Sequence, residues 1–434
     1  MKELWRKKSF RWYWLGLFLS GLGDQMGWMA LSWGIMVKTN SPVAMGGMIL
    51  AYTLPAVLTG LVAGVLLDRY ERRKLIVLDN LLRGTIFLVL CLLLQAETVP
   101  LFVIYVFVVI AGMLSPLSSA GAQTMLPKLV LDSKLLTKAN AVMETQWQMV
   151  YMIGPAAAGV LIGWLGSTNV LMVNACGFFL CALCFSRLPR QVPEQSDQVT
   201  ANSQTSRVSI SAFWRMLFRD MRFGYRFVFG RRQMVLLIFF TFFFNMAYGP
   251  FEVGLPLYAN QDLDAGAEGL GLLWSSLAVG ALLGSLLFAA VPWKIPTGPT
   301  LAGIILTWGL ATVPIAFFAR LDIALLAIGV AGLSFSPYNI LYRSYLQRQV
   351  PDELLGRVLT SIRTITGTGM PAGAAVSGLL IPYLGVQGLF AAGSAACVVV
   401  GLAAFALLRG LDQSLPIDQR GEELLQTIGQ DRVE

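Results

Sequence analysis

Residues 364–408 read TITGTGMPAGAAVSGLLIPYLGVQGLFAAGSAACVVVGLAAFALL and contain no charged residue. A helix needs about 20 mainly apolar residues to cross the hydrocarbon core of a bilayer. The stretch is therefore long enough for two crossings. Its middle, Leu384-Gly385-Val386-Gln387-Gly388, is typical of a turn because glycine adopts backbone angles that other residues avoid. We predict a helical hairpin across a membrane here, and a second one for residues 145–186 with its turn at Gly166-Ser167-Thr168-Asn169.

The composition of the whole chain agrees with this prediction. Its 434 residues are 56% hydrophobic and 13% charged, whereas a soluble domain carries about 25% charged residues. The fold class predicted is an all-α membrane protein with about twelve transmembrane helices. The predicted spans are 11–37, 43–67, 75–96, 100–126, 138–165, 168–187, 233–258, 268–291, 296–319, 322–346, 355–384 and 388–409.

The positions of lysine and arginine predict the orientation, because cytoplasmic loops carry the excess of these residues. The predicted outer loops contain only Lys38 and Arg320. We therefore expect both termini on the cytoplasmic side of a bacterial inner membrane. The net charge of +8 then reflects topology, and nucleic acid is not an expected partner. The inner side carries Arg69, Arg72, Arg73, Lys74, Lys128, Lys134, Lys138, the basic segment 187–232, Lys294, Arg348 and Arg357.

The longest polar segment divides the chain into two halves. We predict a six-helix bundle at 1–188, a cytoplasmic linker at 189–231, a second bundle at 232–410 and a cytoplasmic tail at 411–434. Within the linker, residues 213–229 alternate aromatic residues and arginines at helical spacing, which predicts a helix on the membrane surface. The halves also match each other at an offset of 219–221 residues: Gly64 with Gly284, Pro116 with Pro337, and Gly159 with Gly378. Parallel six-helix repeats are a transporter architecture.

The strongest local motif lies between the second and third spans and reads GVLLDRYERRK over residues 64–74. Gly64 permits close helix approach, and Asp68 can accept hydrogen bonds from a neighbouring helix N-terminus. The arginines that follow are expected to hold the cytoplasmic surface and to pair with acids across the seam between the halves. They are Arg69, Arg72 and Arg73. A basic loop that only obeys the charge rule is the alternative.

This loop resembles the G-x-x-x-D-R-x-G-R-R motif of the major facilitator superfamily, with Glu71 in place of the second glycine. Four further stretches are similar to the branch that contains macrolide efflux proteins and the enterobactin exporter. They are Gly21-Leu22-Gly23-Asp24, Asn80-Leu81-Leu82-Arg83, Lys138-Ala139-Asn140-Ala141 and the segment 350–358, whose Gly356 and Arg357 we assign with the loop at 64–74 to the cytoplasmic gate. The resemblance implies the major facilitator fold and an efflux function. Gly154, Pro155 and Gly159 are similar to the Gly-Pro motif of family antiporters, although this kinked segment could serve packing alone.

Ionisable residues inside membrane spans are costly and are functional candidates by default. Asp24, in the middle of the first span beside Gln25 and Trp28, is the best candidate for a proton carrier or for a site that binds a cationic or hydroxylated substrate. A structural hydrogen bond to a neighbouring helix is the alternative. Glu252 is a candidate second carrier or outer gate. The chain has no histidine, so carboxylates must carry any proton held by a side chain.

Other polar and charged side chains are candidates for the substrate cavity and for closing its inner end. Inter-helix pairs that close the cytoplasmic side, or serve structure alone, are expected among Asp79, Arg83, Glu144, Arg343 and Arg363. Aromatic and amide surfaces suited to an amphipathic solute are expected from Asn245, Tyr248, Tyr338, Asn339 and Tyr342, with Arg343 beside them.

Together these features predict a proton-coupled exporter of small amphipathic molecules such as drugs or siderophores, which works by alternating access as a monomer. Its expected partners are membrane lipid, the substrate and protons. No cofactor and no metal are expected, since the five cysteines lie in apolar spans without neighbouring ligands. No enzymatic motif is present. A lysophospholipid or lipid flippase of the same fold is the nearest alternative, and a receptor or scaffold that transports nothing is the alternative from another class.

Overall fold

The computed structural model describes residues 2–96, 98–130, 132–189, 222, 224–290, 296–350 and 352–411. These residues form helices and contain no β-strand. The tail at 412–434 and most of the linker, including most of the amphipathic segment at 213–229, lie outside them. The helices are α1 Lys2–Arg6, α2 Lys8–Thr39, α3 Pro42–Arg69, α4 Arg72–Gln95, α5 Leu101–Leu129, α6 Ser133–Leu165, α7 Ser167–Ser186, α8 Arg232–Leu257, α9 Gly266–Ala290, α10 Thr297–Phe317, α11 Leu321–Gln349, α12 Asp352–Gly367 and α13 Gly369–Leu407.

Ten segments of the described chain are long and apolar enough to cross a membrane. The last of them, Val358–Leu407, contains a break at Gly385, whose backbone angles are φ 69° and ψ 174°. The other predicted turn also falls at a glycine with positive φ, Gly166 at 81°. Both predicted hairpin turns are therefore confirmed. Glycine has no Cβ atom and adopts these angles without strain.

One predicted span is interrupted. The sequence suggested a continuous helix over 355–384, but the structure ends α12 at Gly367 and begins α13 at Gly369. Between them the Thr368 hydroxyl donates a hydrogen bond to the carbonyl oxygen of Ile365 at 2.7 Å. Glycine is a weak helix former, and a threonine side chain that bonds to nearby backbone competes with the helical pattern. Two glycines around a threonine explain the interruption.

The helices pack as two bundles that meet along two seams. Helices α2 to α7 contact one another, as do α8 to α13, while α6 packs against α9 and α3 against α13 between the two bundles. A Cβ atom added at Gly159 would lie only 2.7 Å from the carbonyl oxygen of Ala267. A Cβ atom at Gly378 would lie 2.7 Å from that of Pro42. Gly159 and Gly378 are partners in the internal repeat, so the same repeat position forms both seams.

The seams lie toward one end of the molecule. We call this the Asn40 end, because the side chain of Gln261 in one bundle donates a hydrogen bond to the Asn40 side chain of the other at 3.1 Å. The opposite end, here the Arg72 end, carries Arg72, Lys128 and Arg187 at the termini of α4, α5 and α7. Close helix contact through glycine thus holds the bundles together at the Asn40 end.

Substitution of Gly159 by leucine is expected to separate the bundles at the Asn40 end, because the side chain has no room against α9. Spin labels at residues 39 and 264, in a chain whose five cysteines are replaced, should report a longer distance in Gly159→Leu. The control is Gly303→Leu, since a Cβ atom at Gly303 meets nothing within 4 Å. An unchanged distance in Gly159→Leu would show that this seam does not set the arrangement.

Candidate functional site

Asp24 and Arg83 form an ion pair between α2 and α4, with Arg83 Nη2 donating to Asp24 Oδ1. The two side chains differ in exposure: that of Arg83 is 3% exposed and that of Asp24 is 37% exposed. Asp24 therefore separates the buried guanidinium from the accessible space of the molecule. The pair lies within one bundle and does not itself join the halves.

The guanidinium of Arg83 has two further partners. Its Nη2 atom lies 3.3 Å from the Tyr52 hydroxyl oxygen on α3, and its carbon lies 4.2 Å from the centre of the Phe178 ring on α7. A cation over an aromatic face is attracted by the ring quadrupole, more strongly when it is removed from water. Arg83, on α4, thus contacts three other helices of its bundle, α2, α3 and α7.

A second carboxylate lies one helical turn before Arg83. The Ser118 hydroxyl on α5 donates to Asp79 Oδ2, and the Asn80 amide donates to the Ser118 oxygen at 2.9 Å. The Ser20 hydroxyl on α2 lies 3.5 Å from the Asn80 side-chain oxygen. Asp79 is 1% exposed. The site is therefore a polar network through α2, α4 and α5, with Asp24 on its accessible side.

Glycines on α2 make room for this network. The side chain of Asn174 on α7 lies against Gly23 and Gly27, where an added Cβ atom would fall 2.7 and 1.9 Å from its amide oxygen and nitrogen. Residues 23 and 27 are one turn apart and flank Asp24. These two glycines form the groove on α2 that receives α7.

The second acid of the prediction, Glu252 on α8, joins the two bundles. The indole nitrogen of Trp28 on α2 donates to Glu252 Oε2 at 3.3 Å. The Trp28 ring also contacts that of Tyr52, with centroids 5.2 Å apart, so contacts run from Arg83 through Tyr52 and Trp28 to Glu252. Tyr151 on α6 lies within electrostatic range of both Asp24 and Glu252. The structure therefore brings the two predicted acids to one region between the bundles.

The predicted aromatic residues of the second bundle form a cluster. Tyr248 on α8 stacks against Phe335, with ring centroids 5.9 Å apart. Tyr338 and Tyr342 on α11 are stacked at 6.1 Å, and the Tyr338 hydroxyl lies 2.7 Å from that of Thr241. The rings thus share one packed surface on α8 and α11.

Other predicted cavity residues have local contacts. The Asn245 amide donates to the carbonyl oxygen of Thr366 at 3.0 Å. Asn339 is exposed, and its amide donates to the carbonyl oxygen of Phe335 on the same helix at 3.4 Å. Arg343 is also exposed. Gln25 packs against Gly154, where an added Cβ atom would meet the Gln25 Cβ at 2.6 Å.

The antiporter-like segment lies at a seam between the bundles. α6 is continuous through Pro155, and the Pro155 carbonyl oxygen would be 2.7 Å from a Cβ atom added at Gly271 on α9. Together with Gly159, this segment forms the contact between α6 and α9.

The arginines of the loop motif bind backbone carbonyls within their own bundle. Arg73 donates to the carbonyl oxygens of Leu188 and Ser186 at 2.6 and 2.7 Å. Arg72 donates to those of Leu67 and Thr124, each at 3.3 Å. These bonds join the N-terminus of α4 to the C-terminal ends of α3, α5 and α7. The side chains of Asp68, Arg69 and Arg357 and the surroundings of Gly64 and Gly356 lie outside the described part.

Two of the predicted inner charge pairs are arranged differently from the expectation. Arg83 and Asp79, expected to close the inner end, belong to the buried network around Asp24. Glu144 accepts a hydrogen bond from Gln148 on its own helix, and Arg363 is exposed. The described residues contain no ion pair between Glu144 and Arg363. Equivalent depth along repeat-related helices did not bring these charges together.

The site also contains residues that the sequence analysis missed: Tyr52, Ser118, Tyr151 and Asn174. Each is a polar residue inside an apolar span, and this is the sequence feature by which it could have been found. Such residues are common in membrane helices as hydrogen-bonding partners between helices. The sequence does not say which of them point toward the same charge.

Two repeated bundles of apolar helices, with a buried charge network inside one of them and a carboxylate of the other bonded to it through Trp28, define a multi-pass membrane transporter. Its fold is shared with solved transporters. The nucleoside transporter NupG superposes with a TM-score of 0.70 at 14% identity, over 93% of this chain and 99% of that one. A POT family transporter in complex with a thioalcohol-conjugated peptide superposes with a TM-score of 0.65 at 11% identity, over 91% and 96% of the two chains.

The sequence matches the Major Facilitator Superfamily over residues 13–370, and the chain belongs to that family. It is 26% identical to the multidrug efflux pump Tap of Mycolicibacterium fortuitum over 400 residues, which cover 91% of this chain and 94% of the relative. It is 21% identical to macrolide efflux protein A of Streptococcus pyogenes over 392 residues, 89% and 92% of the two chains. The predicted resemblance to the drug-efflux branch of the family is confirmed.

Loss of Arg83 is expected to destabilise the protein by about 3 kcal/mol, because a buried pair that loses one partner leaves an uncompensated charge. Thermal unfolding of Arg83→Gln in detergent should show a clearly lower midpoint. The matched control is Arg320→Gln, which removes an exposed ion pair with Asp322 and should leave the midpoint unchanged. Equal midpoints for the two variants would contradict a structural role for the buried pair.

Proposed function

We propose that this protein is a proton-coupled exporter of small amphipathic molecules, drugs in particular, in the bacterial cytoplasmic membrane. The observation that carries the proposal is the region between the bundles where Asp24, paired with a buried arginine, lies near Glu252 and the rings of Trp28 and Tyr52. A partly exposed carboxylate there can exchange a proton for a cationic group of a substrate, because both compete for the same oxygens.

The proposed topology has twelve spans and both termini in the cytoplasm. The basic residues of the Arg72 end support its assignment to the cytoplasmic side. The Asn40 end then faces outward, and the glycine seams that hold it closed correspond to an inward-facing state. Export by alternating access requires these seams to open while the Arg72 end closes. In this scheme the loop at 64–74 latches the cytoplasmic side when the site faces out.

Two carboxylates support proton coupling. Asp24 and Glu252 lie on opposite bundles, and the chain contains no histidine that could share the task. Trp28 bonds to Glu252 across the gap, so protonation of Glu252 changes a contact between the bundles. We propose that Asp24 binds the proton or the substrate, and that Glu252 is a second carrier or an outer gate.

The substrate class is argued from the surfaces beside these acids. Trp28, Tyr52 and Tyr151 offer aromatic faces, and Tyr248 adds one from the other bundle. Flat apolar faces beside a carboxylate suit an amphipathic cation. The relatives that pump several drugs or macrolides support this class. Siderophores are a second substrate class that the same surfaces fit.

A lipid or lysophospholipid flippase of the same fold is the main alternative, since a carboxylate between bundles could also meet a lipid headgroup. A receptor or scaffold is the alternative from another class. The three differ in what they move: an exporter moves drugs against protons, a flippase moves labelled lysolipid, and a receptor moves neither.

The test uses purified protein in proteoliposomes with a proton gradient and an internal pH dye. Addition of amphipathic antibiotics or siderophores should cause proton movement that falls to background in Asp24→Asn, because the variant cannot exchange a proton at that oxygen. Asp322→Asn, which changes an exposed carboxylate on α11, should retain the movement. Labelled lysolipid is assayed in parallel.

Proton movement unchanged in Asp24→Asn would place the carrier elsewhere, with Glu252→Gln as the next variant. Movement of lysolipid with no response to any antibiotic or siderophore would favour the flippase. A chain that moves neither class of compound, in vesicles where it is folded by thermal unfolding, would contradict the proposal of a transporter coupled to protons.

A further inference from the structure

The charges buried around Arg83 do not balance. Asp24 and Asp79 are both within the network, and Arg83 is their only cationic neighbour among the residues described. The other ionisable groups that face these carboxylates are Tyr52 on α3, Tyr151 on α6 and Cys181 on α7. Phenols and thiols are ordinarily neutral near pH 7. Two ionised carboxylates would therefore leave one negative charge uncompensated inside the bundle.

The two carboxylates are not equivalent. Asp24 is partly exposed and holds the guanidinium directly. Asp79 is 1% exposed, and its polar partner is the neutral Ser118 hydroxyl at Oδ2. Its other oxygen, Oδ1, is buried without a hydrogen-bond partner in the described structure, as is Arg83 Nε. A buried charge without a partner is far more costly than a buried neutral group.

We propose that Asp79 is a buried proton-binding site, and that Arg83 exchanges its partner from Asp24 to Asp79 when Asp24 takes up a proton or a cationic group. In the state described here, a proton on Asp79 makes the network neutral. Asp79 and Arg83 are four residues apart on α4, a spacing at which helix side chains are neighbours. The inference extends the proposed function, because it adds a second carboxylate to the coupling site, and it rests on that function only for its role in transport.

The exchange conserves charge. When Asp24 becomes neutral or is occupied by a substrate cation, Arg83 loses its ionic partner. The O–H bond of Asp79 then breaks, the proton leaves to water in the space that Asp24 borders, and the guanidinium, charged throughout, pairs with the Asp79 carboxylate. Occupancy of Asp24 is thereby linked to release of one proton from a site that the substrate never contacts.

Infrared spectroscopy tests this without any substrate or flux. A protonated carboxyl group has its own carbonyl band, which ionisation removes. The full-length protein is measured at neutral pH in dodecyl maltoside, a detergent without a carbonyl group, and every variant also carries Glu252→Gln so that this acid does not contribute. Because the readout needs no transport, a failure of the proposed exporter function and a failure of this inference are distinguishable.

The Glu252→Gln protein should show a protonated carboxyl band, and addition of Asp79→Asn should remove it. Addition of Asp24→Asn should remove the band too, although Asp79 is intact. Arg83 then pairs with Asp79, and its charge stabilises the ionised form of that carboxyl group. Addition of Asp322→Asn, the exposed control, should leave it. Ser118→Ala should shift the band, since it removes the hydrogen bond at Asp79 while keeping both acids.

A band component that persists unchanged in Asp79→Asn would place the proton elsewhere. A band that persists in Asp24→Asn would show that Arg83 does not change partner. Thermal unfolding and size-exclusion chromatography establish which variants are folded. If Asp79→Asn does not fold, the shift in Ser118→Ala assigns the band and Asp24→Asn decides the exchange; no shift in Ser118→Ala would then contradict the assignment to Asp79.

Discussion

The burial of Arg83 is the constraint on which the rest of the site depends. A guanidinium inside a membrane bundle is tolerated only when neighbouring groups replace its water. Here the replacements come from three other helices: a carboxylate from α2, a hydroxyl from α3 and an aromatic face from α7. The position of each helix is therefore linked to one charge. Such a charge network can hold a bundle rigid. Its accessible side, at Asp24, remains available for the proposed exchange of a proton for a substrate cation.

The second constraint is close packing between the bundles. Lipid gives no hydrophobic driving force for helix association, so membrane helices join through small residues that allow the backbones to approach. The repeat-related glycines Gly159 and Gly378 provide such contacts at the two seams. They lie at the Asn40 end, while Trp28 and Glu252 bond nearer the middle. A seam made of backbone contacts and few polar bonds breaks few hydrogen bonds when it opens, which suits the alternation between two arrangements that we propose.

Much of the fold could be predicted from the sequence because lipid imposes simple rules. Apolar length predicts the spans, and glycine at a positive φ marks the turns at Gly166 and Gly385. The break at Thr368 was missed because hydropathy does not detect a local interruption of the helical hydrogen bonds. The site was predicted less completely. Asp24 and Glu252 stood out as charges in apolar spans, but Arg83, which lies in the middle of α4, was assigned to the inner end of its span. The direction in which the Arg83 side chain points depends on the rotation of α4 against α2 and α7. No pattern in a single sequence encodes that rotation.

We propose that the region around Asp24 and Glu252 is a transport site open to one side of the membrane at a time. Tyr151 lies within electrostatic range of both acids and is 52% exposed. The most direct measurement is therefore the reaction of Tyr151→Cys, in a chain without other cysteines, with a membrane-impermeant thiol reagent added to either face of oriented vesicles. We expect rapid reaction from the cytoplasmic face and protection from the outer face in the resting state. Equal reaction from both faces, or reaction from the outer face alone, would contradict it.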